Sequence, residues 1–190
     1  MNDWDKYNNY CPITPCGYTN DIGNFTGIKE IPSITYTNGT TTYTRPTMYA
    51  TRWRGFENPF GDVWMNLDGV VLKRDTAGAI SNVYATTDSS AFDDQLTNKT
   101  IIATEVASDG WIKAFDLGVT GNIVPSAVGG SNTTYMCDYH WCNASSTDIR
   151  TLLVGGAALN GLYAGLFCFF SADGVGVANQ IVGFRTLTRL

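Results

Sequence analysis

The sequence predicts a β-rich fold of the α+β class, with short helices and long loops. Polar and apolar residues alternate with the period of a strand in residues 34–37 and again in residues 40–44. The chain contains 20 glycines, and only 15% of its residues are charged, which is unlike a protein with many exposed helices. No window has the periodicity of a long amphipathic helix. Because 44% of the residues are hydrophobic, the chain can bury a sizeable core.

Length and charge limit the domain count and the classes of partner. The 190 residues suit one large domain, or one domain with an N-terminal appendage. The net charge is −5 and the 12 basic residues do not cluster, so we expect no nucleic-acid partner. No apolar run is long enough to span a bilayer, so we expect no membrane insertion. Residues 1–6 lack a basic region followed by an apolar stretch, so we also expect no signal peptide.

The N-terminal part has the composition of an irregular arm. Residues 1–30 are rich in Tyr, Asn, Gly and Pro, and we expect their aromatic side chains to pack on the body or on a neighbouring subunit. Two alternating runs flank Asn38-Gly39, a strong signal for a tight turn, and predict a β-hairpin. We therefore divide the chain into an arm and hairpin at residues 1–45, for attachment or oligomerisation, and a domain at residues 46–190.

The first half of the larger domain is predicted to combine a short helix with strands. Val63, Trp64 and Leu67 have the spacing of one helical turn that buries the Trp. Residues 70–72 begin a buried strand, and residues 82–85 predict another.

The second half is predicted to alternate strands with long loops. Residues 88–98 predict a polar loop, and residues 111–115 predict a strand. Residues 118–134 are rich in Gly, Ser and Asn and predict a long surface excursion. Residues 135–142 predict a further strand. Residues 150–190 alternate runs typical of buried strands, one of them at residues 166–170, with glycine turns, and nothing in them suits acid–base or metal chemistry.

The cysteines leave three states open. Cys11 and Cys16 are separated by four residues, and so are Cys137 and Cys142. The four thiolates could form a zinc site, although the two pairs lie more than a hundred residues apart. Disulfides are the second alternative, and reduced, partly buried thiols are the state that we favour. The five cysteines are Cys11, Cys16, Cys137, Cys142 and Cys168. His140 is the single histidine, and we interpret it as a polar surface or loop residue because it has no obvious metal or catalytic partner.

Three ordered motifs resemble a known group of domains. Residues 57–64 (ENPFGDVW) resemble a segment of the formylglycine-generating-enzyme/sulfatase-modifying domain. Residues 155–156 (GG), 164–167 (AGLF) and 182–185 (VGFR) resemble its terminal block. The same block is similar to that of the variable proteins of diversity-generating retroelements and of domains in bacteriophage fibre and tail proteins. The resemblance implies a C-type-lectin-like fold over about residues 50–72 and 150–190.

The resemblance also implies roles for single residues. Trp64 and Phe184 would fill the core. Gly155-Gly156 would enter a strand and turn the backbone where no Cβ fits. Arg185 would pair with a carboxylate such as Glu57 or Asp68, and the last strand would return beside the first.

The chemistry of the enzymatic and calcium-binding relatives is not matched. The sulfatase-modifying enzymes need a pair of cysteines near the terminal block, where this chain has only Cys168 between phenylalanines. We expect that thiol to be a buried small hydrophobe with a raised pKa. Iron-dependent relatives need several histidines, and calcium lectins need a Pro-containing acidic loop that is absent. We therefore expect no catalytic residues, no metal and no cofactor.

The ligand face of the retroelement-type proteins lies between the two terminal motifs. Carried onto this sequence, it is formed by Ala157, Ala158, Leu159, Asn160, Leu162 and Tyr163, with Asp173, Val175 and Asn179 opposite. These positions are mostly apolar, whereas adaptable binding surfaces are polar and aromatic. An apolar surface suits a fixed protein–protein contact. The alternative is that these residues pack beneath a loop.

The resemblance and the composition together predict a structural protein of a tailed-phage virion. The chain would decorate the capsid or form part of a head or tail fibre, as a homo-oligomer in contact with other virion proteins, after assembly in the host cytoplasm. The alternative is an adhesion domain that binds a host receptor or glycan through the face near Asn160 and Tyr163. A sulfatase-type modifying oxidase that depends on Cys168 is a third possibility, and we expect no such activity.

Overall fold

A computed structural model describes most of the chain beyond the N-terminal arm. The described residues are 27–45, 47–53, 56–57, 59–61, 63–179 and 181–183. The predictions for the arm before residue 27, for Cys11 and Cys16, and for Phe184 and Arg185 lie outside them.

The predicted hairpin is confirmed, and it forms the tip of a longer two-stranded ribbon. Strands β2 (Ile34–Asn38) and β3 (Thr41–Arg45) pair antiparallel around a turn in which Gly39 has a φ of 62°. Strands β1 (Gly27–Ile31) and β4 (Met48–Trp53) continue the pairing in the same register, from Ile31 opposite Met48 onwards. The short strand β5 (Phe56–Glu57) pairs with β4.

The remaining described strands form one mixed sheet, so the β-rich prediction is confirmed. Its order is β10-β9-β11-β13-β12-β6-β7-β8, with β14 also beside β6. The β11–β13 and β14–β6 pairs are parallel and the others antiparallel. The strands are β6 (Trp64–Lys73), β7 (Ser81–Ala85), β8 (Thr100–Glu105), β9 (Gly110–Leu117), β10 (Ile123–Val128), β11 (Tyr139–Cys142), β12 (Arg150–Val154), β13 (Phe169–Ser171) and β14 (Val182–Gly183).

Helical structure is limited to short 3-10 segments in the part of the chain that the structure describes. They cover Ser89–Ala91 and Ala158–Tyr163. Asp88 caps the first by accepting a hydrogen bond from the Ser90 amide at 2.9 Å. None of the described helices is long and apolar enough to cross a membrane.

The sheet curls until its two edges meet. The Val106 amide donates to the Pro125 carbonyl at 3.1 Å, and the Val119 amide donates to the Ile102 carbonyl at 2.9 Å. These bonds join the β8 side of the sheet to the β10 side, which protects edge groups that would otherwise be unpaired. The enclosed main core draws on six strands and consists of Leu72, Val83, Ile102, Val124, Leu152 and Phe169.

Trp64 anchors a second core, as predicted, but the helical turn predicted around it is wrong. Its ring is 4% exposed and lies 5.6 Å from Trp141 and 5.0 Å from Phe170, measured between ring centroids. Trp64 begins strand β6 and pairs with β14, while Leu67 is 39% exposed. Strand pairing on both sides of this part of β6, with β12 and with β14, satisfies its backbone and overrides the local helical spacing.

Other differences from the sequence prediction concern strands without clear alternation. The predicted surface excursion at residues 118–134 contains β10, whose Val124 and Pro125 are both buried. The strand predicted from residue 135 begins at Tyr139, and Tyr135 is 99% exposed. Strand β8 had no counterpart in the prediction.

Candidate functional site

Two glycines after β12 start the loop that carries the candidate site. Gly155 and Gly156 have φ values of 88° and 74°, which side chains with a Cβ rarely adopt. A Cβ on Gly156 would lie 2.6 Å from the Cβ of Ala164. The expectation that no Cβ fits here is therefore confirmed, although the pair follows a strand and does not lead into one. Their conformation lets the chain fold back on itself at Ala164.

The 3-10 segment after the glycines directs two large side chains outwards. The Asn160 side chain accepts a hydrogen bond from the Ala157 amide at 2.7 Å, so this residue holds the turn. Gly161 then kinks the backbone, with φ 57° and ψ −123°. Leu162 is 64% exposed and Tyr163 is 43% exposed.

A close backbone approach directs two more apolar side chains outwards. A Cβ on Gly165 would lie 1.7 Å from the Asp138 Oδ1, so only glycine fits. The Phe167 amide donates to the same oxygen at 3.4 Å. Leu166 and Phe167 are 52% and 47% exposed. We call Leu162, Tyr163, Leu166 and Phe167 the apolar loop.

Tyr163 rests on three other aromatic side chains. It stacks on Trp111 with a centroid distance of 5.0 Å and an angle of 18° between the rings. It meets Tyr139 edge-on at 4.8 Å and Trp141 at 5.8 Å. Trp111 and Tyr139 face each other across the β9–β11 pair. We call these four residues the aromatic cluster. Offset or edge-on ring contacts of this kind are favourable and hold the rings in place.

Two carboxyl groups lie near the aromatic cluster and the apolar loop. Asp109 accepts a hydrogen bond from the Cys142 amide at 2.7 Å. Burial raises the pKa of the Tyr139 hydroxyl, and the charge of Asp109 and the neighbouring Tyr163 raise it further. Burial also raises the pKa of Asp138, an effect that its hydrogen bond from Phe167 opposes.

The predicted binding residues fall into two groups that lie against different strands. Of Ala158 and Leu159 only the backbone is described, and it belongs to the 3-10 segment. The Tyr163 ring packs against aromatic side chains of β9 and β11. The Asp173 carbonyl instead accepts from the Thr151 amide of β12 at 3.2 Å.

Val175 and Asn179 lie in the same segment as Asp173, between β13 and β14. Val175 is half-buried, and Asn179 is exposed. The Asn179 side chain accepts from the Ile181 amide at 3.0 Å and so shapes the entry to β14. Asn179 also lines a groove of about 320 Å³ beside Asn66 and Asp68 of β6.

His140 is fully buried, so its interpretation as a surface or loop residue is wrong. It lies on β11, with Nε2 2.8 Å from Glu105 Oε1 and Nδ1 2.8 Å from the Ser108 carbonyl oxygen. Arg74 donates to the other Glu105 oxygen at 3.3 Å, and the Ser171 hydroxyl also donates to Glu105. The partners come from strands far apart in sequence, so no local motif reveals them.

This buried polar cluster has the geometry of a structural junction. Ser171 and His140 both bond to the same carboxylate oxygen of Glu105, so the hydroxyl donates to the carboxylate and not to the imidazole, as it would in a Ser–His–carboxylate triad. All four side chains are nearly inaccessible to solvent. Hydrogen bonding of every partner offsets the cost of burying the charges.

The described cysteines are unpaired thiols. Cys137 is exposed, Cys142 is half-buried and Cys168 is fully buried. Burial, and then the charge of Glu105, raise the pKa of Cys142 to about 12. Burial also raises the pKa of Cys168, as predicted. Within the described ranges no group of three or more His, Cys, Asp and Glu side chains could hold a metal ion. The alternative of a zinc site that includes Cys11 and Cys16 falls outside those ranges.

No protein-family model, curated protein or solved structure matches the chain. The likeness to C-type-lectin-like domains therefore stays a prediction from the quoted motifs. What the structure provides is an exposed apolar loop beside an aromatic cluster, on a sheet with a closed interior.

Proposed function

We propose that this chain is a non-enzymatic structural protein of a tailed-phage virion, either a capsid decoration protein or a component of a head or tail fibre. It acts through protein–protein contacts, first of all with other copies of itself. We also propose that residues 46–190 form a variant of the C-type-lectin-like fold. The return of β14 beside β6, the first strand of the main sheet, supports that assignment.

The apolar loop is the observation that carries the functional proposal. Four large apolar side chains, each at least 43% exposed, lie between residues 162 and 167. A cluster of this kind is costly to leave in water and commonly marks a protein contact. Glycines with tight contacts fix the loop backbone, so its side chains are held ready for a partner with little loss of entropy.

The ribbon supports assembly independently. Among the described residues, β2 and β3 pair only with each other. Threonines bond across one face, at 3.1 Å between Thr35 and Thr44 and at 3.3 Å between Thr37 and Thr42. A lone two-stranded ribbon is marginally stable in water, so contact with another subunit would stabilise it.

Copurification of a tagged with an untagged copy tests the role of the apolar loop. We expect wild-type copies to copurify, and the double variant Leu162→Ser/Phe167→Ser to lose most of that association. Val119→Ser is the matched control, because Val119 is 81% exposed and lies in the turn after β9. Equal recovery of the double variant and the wild type would contradict the assignment.

A second candidate function, glycan binding by an adhesion domain, is favoured by the aromatic cluster. Tyr163 presents an exposed ring on a rigid aromatic base, and Asp109 supplies a carboxylate that can accept hydrogen bonds from hydroxyl groups. Aromatic rings provide rigid amphipathic contact area, and a few placed polar groups provide orientation.

A glycan array separates this candidate from assembly alone. Binding that falls at least about tenfold in Tyr163→Ala, and persists in Tyr163→Phe, would support it. Tyr135→Ala is the control, because Tyr135 is 99% exposed and makes no ring contact with the aromatic cluster. A wild-type protein that binds no glycan on the array, or a Tyr163→Ala variant that binds as well as wild type, removes this candidate.

A modifying oxidase is not part of the proposal. Such chemistry needs a reactive thiolate, whereas burial of Cys168 disfavours the thiolate. We expect no metal-dependent oxidase activity in the wild type. Turnover that is lost in Cys168→Ser would overturn the non-enzymatic assignment.

A further inference from the structure

The closed sheet contains an apolar cavity beside the main core. Its volume is about 150 Å³, and it is partly open to solvent. Its walls come from seven strands and the segment before β13, and Val70, Val83, Val124 and Val154 are among the residues that line it. Exposed Leu166 and Phe167 stand at its mouth.

Small side chains explain why this end of the sheet is not filled. Curling brings strands from opposite sides of the sheet around one space, and large side chains such as Leu72 fill the part next to it. Four valines and Cys168 line the remaining volume together with larger side chains such as Phe115 and Leu152, and the short side chains leave part of it unfilled. Protein interiors normally leave few voids larger than a water molecule, so this space is larger than an ordinary packing void.

The wall chemistry selects the kind of occupant. Every lining residue has an aliphatic or aromatic side chain except Asn122 and Cys168. The Asn122 side chain already accepts a hydrogen bond from the Thr120 hydroxyl. Water inside would find few partners, and a charged group would lose its hydration without compensation.

We propose that this cavity is a binding site for a small uncharged apolar molecule, of the size of one aromatic ring or a short branched hydrocarbon. Enclosed apolar cavities of about this volume in other proteins bind benzene. The occupant would replace missing van der Waals contacts along the valine wall. The site shares Leu166 and Phe167 with the apolar loop, but its remaining walls lie within the sheet, and the proposal concerns binding inside the sheet and not assembly.

Titration of the full chain with benzene, followed by two-dimensional NMR, tests the site. We expect saturable shifts of methyl signals from Val70, Val83, Val124 and Val154, and a melting temperature that rises with benzene concentration. Benzoate has a similar ring with a charge, and we expect it to produce neither change at the same concentrations.

Filling variants link the binding to this cavity. Val154→Phe should weaken benzene binding at least about tenfold, because its ring occupies the same volume. Val70→Leu adds less volume and serves if Val154→Phe does not fold, as judged by its melting curve. Val119→Phe is the control on an exposed position outside the cavity lining, and it should leave benzene binding unchanged. Absence of saturable binding in the wild type, or full binding in a folded filling variant, would overturn the proposal.

Discussion

Glu105 is the residue on which the buried polar contacts converge. It accepts hydrogen bonds from Arg74 and Ser171 and pairs with His140, which joins β8 to the end of β6, to β13 and to β11. Each partner is buried, so water cannot replace a lost bond. The cluster therefore fixes how these strands sit around the closed sheet.

Removal of His140 should be among the most destabilising single changes in the chain. His140→Leu leaves the Ser108 carbonyl without its partner and removes one of the groups that compensate Glu105. We expect the free energy of unfolding to fall by about 3–5 kcal/mol, measured by urea denaturation. Asn132→Leu, on an exposed loop, should change it by no more than about 0.5 kcal/mol. A similar small effect for His140→Leu would show that the cluster is not structural.

Asp138 should make stability depend on pH. Burial raises its pKa in the folded state above the ordinary value of 3.8, so ionisation opposes folding. The wild type should therefore lose stability as the pH rises through the interval between the unfolded and folded pKa values. Asp138→Asn stays neutral, and its melting temperature at pH 7 should exceed that of the wild type. The difference should vanish as the pH falls below about 3.8; a difference independent of pH would contradict this origin.

The described thiols should differ sharply in reactivity. Cys137 is exposed, whereas Cys142 has a pKa of about 12 and Cys168 is fully buried with a raised pKa. Brief treatment with iodoacetamide at pH 8, followed by peptide mapping, should modify Cys137 well before the other two. The rate at Cys142 should rise as the pH approaches 12. Rapid labelling of Cys168 at pH 8 in the folded protein would contradict its burial.

Single residues differed in how well the sequence revealed them. Trp64 and Cys168 have apolar neighbours in sequence, and both are buried as predicted. His140 lies between Tyr139 and Trp141, and its carboxylate partner is 35 residues away. Burial of a polar residue depends on such distant partners, so local composition could not show it.

At the scale of elements, Gly156 sets the position of the loop that carries the candidate site. Its close approach to Ala164 brings the two ends of the 3-10 segment together. The motif GG was visible in the sequence, but the exposure of Leu166 and Phe167 was not. Those residues belong to an apolar run that predicted a buried strand, whereas β13 begins at Phe169. The contact of Gly165 with Asp138 holds them outside the strand.

Gly156→Ala should displace this loop. The new Cβ would collide with Ala164, and the positive φ adds strain, so we expect a loss of about 1–3 kcal/mol. The Tyr163–Trp111 stack should weaken, which near-ultraviolet circular dichroism would detect. Gly121→Ala is a matched control, because its φ is 80° but no atom lies within 4 Å of the added Cβ. Equal effects in both variants would assign the loss to φ strain alone.

Strands with strong local signals were predicted, and strands that depend on closure were not. The hairpin, β7 and β9 were found from alternation and turn residues. Strand β10 contains Pro125 and follows a glycine-rich turn, so its residues predicted a loop. Its place is fixed by pairing with β9 and by the bond from Val106.

At the scale of the whole molecule, two features combine. The closed sheet buries its core and leaves a cavity, while the apolar loop and the ribbon leave surface that suits further contacts. Curling could not be predicted, because it depends on bonds between the β8 side and the β10 side of the sheet that no local pattern encodes. Composition did indicate a β-rich chain with few charges, which is compatible with assembly.

Sedimentation velocity over a range of concentrations tests self-association through the apolar loop most directly. We expect the wild type to sediment as an oligomer. For Leu162→Ser/Phe167→Ser we expect a dissociation constant of the oligomer at least about tenfold larger than that of the wild type. Val119→Ser should sediment like the wild type. A wild type that remains monomeric at every concentration, or a double variant that associates as strongly as the wild type, would contradict the account.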